Sequence, residues 1–215
     1  MISSVPTSAR EEDQVAQAGT DGGRRFLVLH GWQNRRPSGH WQWQLTEALR
    51  ADGEQVLYPQ FPSPDEPSLA AWTALLRDEL AQLGSGERIV VAHSLAVALW
   101  SSVAGTLTAD ERVDRVLLVA PPAPEVLARY PEVAEFSRVP HDPAALAGAA
   151  VTTRLAARDD DPYWPGGAAP VFADLGLDVD VLPGAAHLDL DAGYGRWPAV
   201  EAWCRDPATR LTPRR

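Results

Sequence analysis

Short apolar runs alternate along the chain with longer segments whose apolar residues recur every three or four positions. The runs are RFLVLH at 25–30, EQVLY at 54–58, RIVVA at 88–92, VDRVLLVA at 113–120, AAVTTRLAA at 149–157 and DVDVL at 178–182. Runs of this length, apolar on both faces, suit strands buried in a parallel sheet. Between them, residues 40–51 place Trp41, Leu45, Ala48 and Leu49 on one helical face, and Asp52-Gly53 ends that helix. Residues 68–83 do the same with Leu69, Trp72, Leu76, Leu80 and Leu83, behind Ser68 as a candidate N-cap. A helix from Leu95 to about Ala104 and a closing helix from Pro198 to Cys204 complete the series. Strands alternating with helices pair in parallel through right-handed crossovers. The expected fold is therefore a three-layer α/β/α sandwich with a mostly parallel sheet of five or six strands. Residues 121–148, rich in proline and alanine and without a clear period, read as a loop or a small cap.

Two ends fall outside this pattern. Residues 1–24 lack the run of about 7–15 apolar residues that a secretory signal needs, so they read as a flexible arm. Residues 206–215 read as a short, basic, frayed tail. The expected division is an arm at 1–24, one domain at 25–205 and a tail at 206–215. No stretch approaches the roughly 18 apolar residues of a membrane span. With no signal and no disulfide pairs, the expected location is cytoplasmic.

Composition narrows the function. A formal charge of −10 over 215 residues argues against nucleic acid or an anionic membrane as main partner. The single cysteine, Cys204, excludes an internal disulfide framework and a cysteine-based zinc site. The histidines show no metal-ligand spacing, so no metal is assigned.

The candidate chemistry starts at Ala92-His93-Ser94-Leu95-Ala96, where a strand runs directly into a helix. That is the setting of a nucleophile elbow, with alanines where the usual pattern has glycines. The turn lifts the Ser94 hydroxyl off the sheet and sets it at a helix N-terminus, where free N–H groups favour an oxyanion. The alternative reading of such a serine is a helix cap. A serine hydroxyl needs a base, and the base needs an orienting acid. After the fifth strand come Asp159, Asp160 and Asp161, with Pro162 fixing the backbone behind them. After the sixth comes Pro183-Gly184-Ala185-Ala186-His187. Strand ends of a parallel sheet share one rim, so a serine, a carboxylate and a histidine meet there in the order of α/β-hydrolases. Of the other histidines, His30 either lines the site or orders the loop after the first strand. His40 caps a helix, His93 turns into packing, and His141 lies in the irregular segment.

Together these pieces resemble a known family, the small serine hydrolases related to retinoblastoma-binding protein 9 within the α/β-hydrolase superfamily. The resemblance spans about 26–204. It rests on LVLHGW at 27–32 with Gly39-His40-Trp41, the proline-rich link after the second strand, Trp72, VVAHSL at 90–95 and VLLVAPP at 116–122. It continues with Phe136, Val139-Pro140, DDPYWP at 160–165 and GAAHLDLDAGYGRWP at 184–198. It implies Ser94 as nucleophile, Asp161 as acid and His187 as base. It also implies one oxyanion donor at the N–H of Leu95 and another around Gly31 or Trp32. Ala96 stands where the family usually has glycine, and residues 122–149 match poorly. No L-x-C-x-E motif surrounds Cys204, so a retinoblastoma-protein partner is not implied.

The expected activity is hydrolysis of a small ester, thioester or amide through a Ser-His-Asp triad and an acyl-enzyme, without a cofactor. Its partner is a small acyl substrate. Among the eight tryptophans, Trp32, Trp41, Trp43 and Trp164 lie near predicted rim loops as candidates for an apolar pocket. Tyr163 and Tyr194 are weaker ones. Two alternatives stay open: an acyltransferase, cyclase or thioesterase using the same triad, and a non-catalytic binding protein on a hydrolase fold.

Overall fold

The computed structural model describes residues 22–183 and 186–214. Its six strands are β1 (Arg24–Leu29), β2 (Gln55–Leu57), β3 (Glu87–His93), β4 (Val113–Val119), β5 (Ala150–Ala157) and β6 (Asp178–Val181). They form one sheet in the order β2-β1-β3-β4-β5-β6, every neighbouring pair parallel. The order reverses direction between β1 and β3, and such a switch point opens a crevice at the strands' carboxyl ends.

The period-two pattern splits each strand between two cores. Phe26 and Val28 of β1, with Ile89 and Val91 of β3, face one side, where α1 (Trp41–Ala51) and α7 (Pro198–Arg205) supply Trp41, Leu45, Val200 and Trp203. Leu27, Leu29, Val90 and Ala92 face the other. There they meet Trp72, Leu76 and Leu80 of α2 (Leu69–Gln82) and the apolar α3 (Leu95–Ala104). Ser68 caps α2 by accepting the Ala71 N–H at 3.4 Å.

Residues 121–148 are a small helical cap rather than a loop. α4 (Pro124–Leu127), a 3₁₀ stretch (Pro131–Arg138) and α5 (Pro143–Ala149) each begin with proline in the first turn. There its missing N–H costs nothing and its fixed φ suits a helix. A further helix, α6 (Ala169–Asp174), lies between β5 and β6.

The expected arm falls outside the described residues as far as residue 21, while Arg24 already belongs to β1. The carboxyl-terminal segment does not fray as far as residue 214. Leu211 is buried in the α1/α7 core, and its N–H donates to Asp180 Oδ2 at 2.9 Å. Arg210 bonds Asp178 at 2.6 Å, and the Thr212 carbonyl accepts the Trp197 indole N–H at 2.7 Å. Arg210 of this tail is thus held by the carboxylates of β6. Among the described residues, no helix is long and apolar enough to cross a membrane.

Candidate active site

β3 ends at His93 and α3 starts at Leu95, so Ser94 makes the whole turn alone. It does so at φ 57° and ψ −125°, a conformation that costs a non-glycine residue about 1–3 kcal/mol. Its surroundings enforce it. The Ser94 N–H donates to the Val119 carbonyl of β4 at 2.9 Å, and the Ser94 carbonyl accepts from Val97 at 2.9 Å. Ala92 and Ala96, in the places of the usual glycines, are fully buried, so the elbow forms with methyl groups on both sides. The Ser94 side chain makes no capping bond to its helix. Its hydroxyl is bonded elsewhere.

That partner is His187. Ser94 Oγ lies 2.8 Å from His187 Nε2, and His187 Nδ1 lies 2.9 and 3.0 Å from the two oxygens of Asp161. An ionised carboxylate only accepts, so the imidazole proton sits on Nδ1 and Nε2 is free to accept from the serine. Asp161 Oδ1 also accepts the Tyr163 N–H at 2.8 Å, which fixes the carboxylate's rotation. Both Asp161 and His187 are buried. Asp160 points away and pairs with Arg158 instead.

The loop after β1 closes the other side of Ser94. A Cβ on Gly31 would lie 2.7 Å from Ser94 Cβ and 3.1 Å from Oγ, so only glycine fits there. Leu95 supplies the first amide of α3, a position with no acceptor inside its own helix. Gly31, Trp32 and Leu95 all border a cleft of about 410 Å³ that contains Ser94 and His187.

His30 and Trp164 do not line this cleft, contrary to the sequence expectation. His30 is fully buried, and its Nε2 accepts the Phe61 N–H at 2.9 Å. Its proton is therefore on Nδ1, which donates to the Gly31 carbonyl at 2.8 Å. The ring orders the loop; it does not face substrate. Trp164 turns inward against Phe172 and His141. Trp41 is fully buried in the core, and Trp43 packs partly against the same core. Of the four tryptophans, only Trp32 borders the cleft. Tyr194 is buried among core aromatics.

Sequence reasoning missed part of the lining. Leu127 and Tyr130 come from the cap, and Asp189 and Leu190 from the turn after His187. Tyr130 meets Trp32 edge-on at 5.3 Å, and Tyr163 lies 4.4 Å from the His187 ring. The signal for the cap residues was its run of helix-starting prolines.

His40 caps α1 by accepting the Gln42 N–H on Nδ1 at 3.2 Å, and it also borders the cleft. His93 packs edge-on against Trp41 at 5.5 Å, while its Nε2–H donates to the His187 carbonyl at 3.3 Å. Burial pushes the His40 ring down to about 4 and the His93 ring well below the usual histidine range. Both stay neutral at pH 7, so neither places a positive charge beside His187. His141 bonds Ser101 Oγ at 3.0 Å beneath the cap. Among the described residues, no group of three or more His, Cys, Asp or Glu side chains is arranged to hold a metal ion.

A family model described as serine hydrolase matches residues 26–205. No curated protein matches the chain. Among solved structures, the ydeN gene product from B. subtilis is similar at 21% identity with a TM-score of 0.71, covering 84% of this chain and 95% of that one. A putative YdeN-like hydrolase from Pectobacterium atrosepticum is similar at 19% identity and a TM-score of 0.66, covering 85% and 90%. The esterase domain of a Rhodothermus marinus protein reaches 17% and 0.60, covering 86% and 89%. At these identities the structures speak for the α/β-hydrolase fold.

Proposed function

The chain belongs to the serine hydrolase family, and on that premise we propose that it cleaves small esters, thioesters or amides through Ser94, His187 and Asp161. The observation that carries this reading is the unbroken hydrogen-bonded chain from Ser94 Oγ through His187 to Asp161, with links of 2.8 and 2.9 Å. In this mechanism Ser94 Oγ attacks the acyl carbon while His187 Nε2 takes its proton. Asp161 holds the imidazole in the required tautomer and stabilises its protonated form. The carbonyl oxygen becomes an oxyanion held by the N–H of Leu95 and an N–H of the loop at Gly31 and Trp32. One such donor is worth about 3–4 kcal/mol. Collapse expels the alcohol, thiol or amine, which takes the proton from His187. Water, deprotonated by the same imidazole, then releases the acid. No step calls for a cofactor. The narrower kinship with the retinoblastoma-binding protein 9 group belongs to this proposal and rests on the motifs given above.

The test is labelling of the purified protein with a fluorophosphonate, read by intact mass, beside Ser94→Ala and His187→Ala. One adduct on the wild type and none on either variant is expected. Labelling that survives Ser94→Ala overturns the assignment of the nucleophile. No labelling of the folded wild type overturns the hydrolytic reading and favours a binding role.

A further inference from the structure

Arg158 is among the largest completely buried side chains, 1% exposed, and no step of the proposed chemistry uses it. It directly follows β5 and opens the loop that carries Asp161. Its Nη1–H donates to the Leu182 carbonyl at 2.6 Å, and its Nε–H donates to Asp160 Oδ1 at 2.6 Å. A second ion-pair contact joins Nη2 to the same Asp160 oxygen. Leu182 directly follows β6, is fully buried, and opens the loop that carries His187. One guanidinium therefore touches the chain on both sides of the Asp161–His187 bond. The backbone joins the two loops just below, where the Leu182 N–H meets the Ala157 carbonyl at 2.9 Å. Beyond that point the backbone at Gly167 packs closely on the acid loop. A Cβ on Gly167 would lie 3.1 Å from Asp159 Cα.

The choice of residue carries the argument. Burying a cation costs several kcal/mol and is recovered only by good geometry, so an apolar side chain would fill the same space with less penalty. What arginine adds is a flat, rigid fork of donors that fixes several acceptors relative to one another. Here the acceptors are the neighbour of the proposed acid and the start of the loop bearing the proposed base. This also gives the run of aspartates a division of labour: Asp161 faces the imidazole and Asp160 faces the arginine.

We infer that Arg158 is a positioning residue: with Asp160 as its anchor, it clamps the two loops so that Asp161 meets His187 in hydrogen-bonding geometry. The inference rests on the triad proposed above. Its test uses the full chain, with p-nitrophenyl acetate as the ester and the downfield proton resonance of the His187 Nδ1–H as the spectroscopic signature. Misplacing a catalytic group by 1 Å can cost about 100-fold, so a partial loosening in Arg158→Met is expected to lower kcat by about tenfold, with KM nearly unchanged. Arg158→Lys, which keeps the charge and loses the fork, is expected to recover part of that loss. Asp160→Ala removes a side chain that is 62% exposed and leaves the core filled. It is expected to lower kcat by about threefold and to broaden the downfield resonance.

If Arg158→Met does not fold, Asp160→Ala decides alone. Folded variants with wild-type kcat and an unchanged resonance overturn the clamp, even if their melting temperatures fall. A failure of the triad itself looks different, because the folded wild type would then take no fluorophosphonate or Ser94→Ala would keep its labelling. Either outcome overturns both readings, whereas loss of labelling in Ser94→Ala with wild-type-like clamp variants overturns the clamp alone.

Discussion

The two halves of the site are held by different physics. The half around Ser94 is fixed by backbone and close packing: Gly31 against the serine, the Val119 carbonyl on its N–H, and buried alanines on either side. The half around Asp161 and His187 is fixed by side-chain hydrogen bonds and ion pairs. Arg158 joins its loops, Arg154 and Arg210 bind the carboxylates of β6, and Leu211 seals the edge. Steric confinement has no intermediate state, since one added carbon atom either fits or displaces its neighbour. Polar links weaken by degrees and respond to charge. The half around Ser94 is therefore expected to fail abruptly on small changes, and the polar supports around the Asp161–His187 link to degrade in steps.

Asp161→Asn probes the one link in the polar half with no substitute. An amide in place of the carboxylate favours the wrong tautomer of His187, and the expected loss in kcat is about 10⁴-fold, by analogy with serine proteases. Steady-state hydrolysis of p-nitrophenyl acetate, normalised to folded protein, reads it directly. A loss under tenfold would mean that a different group orients the imidazole. Gly31→Ala tests the steric half. The new Cβ meets Ser94 Cβ at 2.7 Å, so the elbow must move, and the expected loss in kcat/KM is about 100-fold. Retained activity would show that the loop after β1 yields, and the contrast between the halves would disappear.

The same contrast explains what was legible in the sequence. Four long strands and the elbow could be read because a buried parallel strand is a continuous apolar run, and the serine between strand and helix is followed by an aspartate and a histidine after later strands. The order of serine, aspartate and histidine could be read because parallel strands end on one rim. Side-chain direction within a rim loop could not. His30 and Trp164 sit beside the right glycine and proline, yet both turn into the core, where Phe61 and Phe172 give them aromatic neighbours. The choice between loop and cap at 121–148 stayed open because proline and alanine give no apolar period there; Pro124, Pro131 and Pro143 each stand in a first helical turn. The basic tail was hidden because its partners, Asp178 and Asp180, lie far back in the chain, and no local pattern marks such a pair.

Leu211→Ala separates stability from geometry in the polar half. Leu211 is 4% exposed and belongs to the α1/α7 core. Its truncation is expected to cost about 2 kcal/mol, the low end for a buried leucine, measured by urea unfolding. With kcat per folded molecule unchanged, the terminal segment is a seal. A parallel fall in kcat would extend the set of contacts that hold His187.

The smallest effect tests the steric half through protons. Burial is the main reason the His30 ring is lowered to about 4; the nearby Arg36 adds to it, and the bond to Gly31 opposes it. The folded protein keeps this ring neutral, because its Nε2 accepts from Phe61 and its Nδ1–H is committed to Gly31. The unfolded chain takes a proton below about pH 6.5. Between roughly pH 6.5 and 4 the unfolded state therefore binds more protons, and stability falls with falling pH by about 1.4 kcal/mol per unit for this one histidine. His40, also lowered to about 4, adds a similar slope to any variant that keeps it. The informative quantity is thus the difference between wild type and His30→Gln, with unfolding free energy measured at several pH values in that window. The variant is expected to show a shallower acid slope by about 1.4 kcal/mol per pH unit, whatever its stability at pH 7. Equal slopes would mean that His30 charges inside the folded protein. The Phe61 bond would then open without unfolding, and the loop that places Gly31 against Ser94 would be as compliant as the arginine-held loops opposite it.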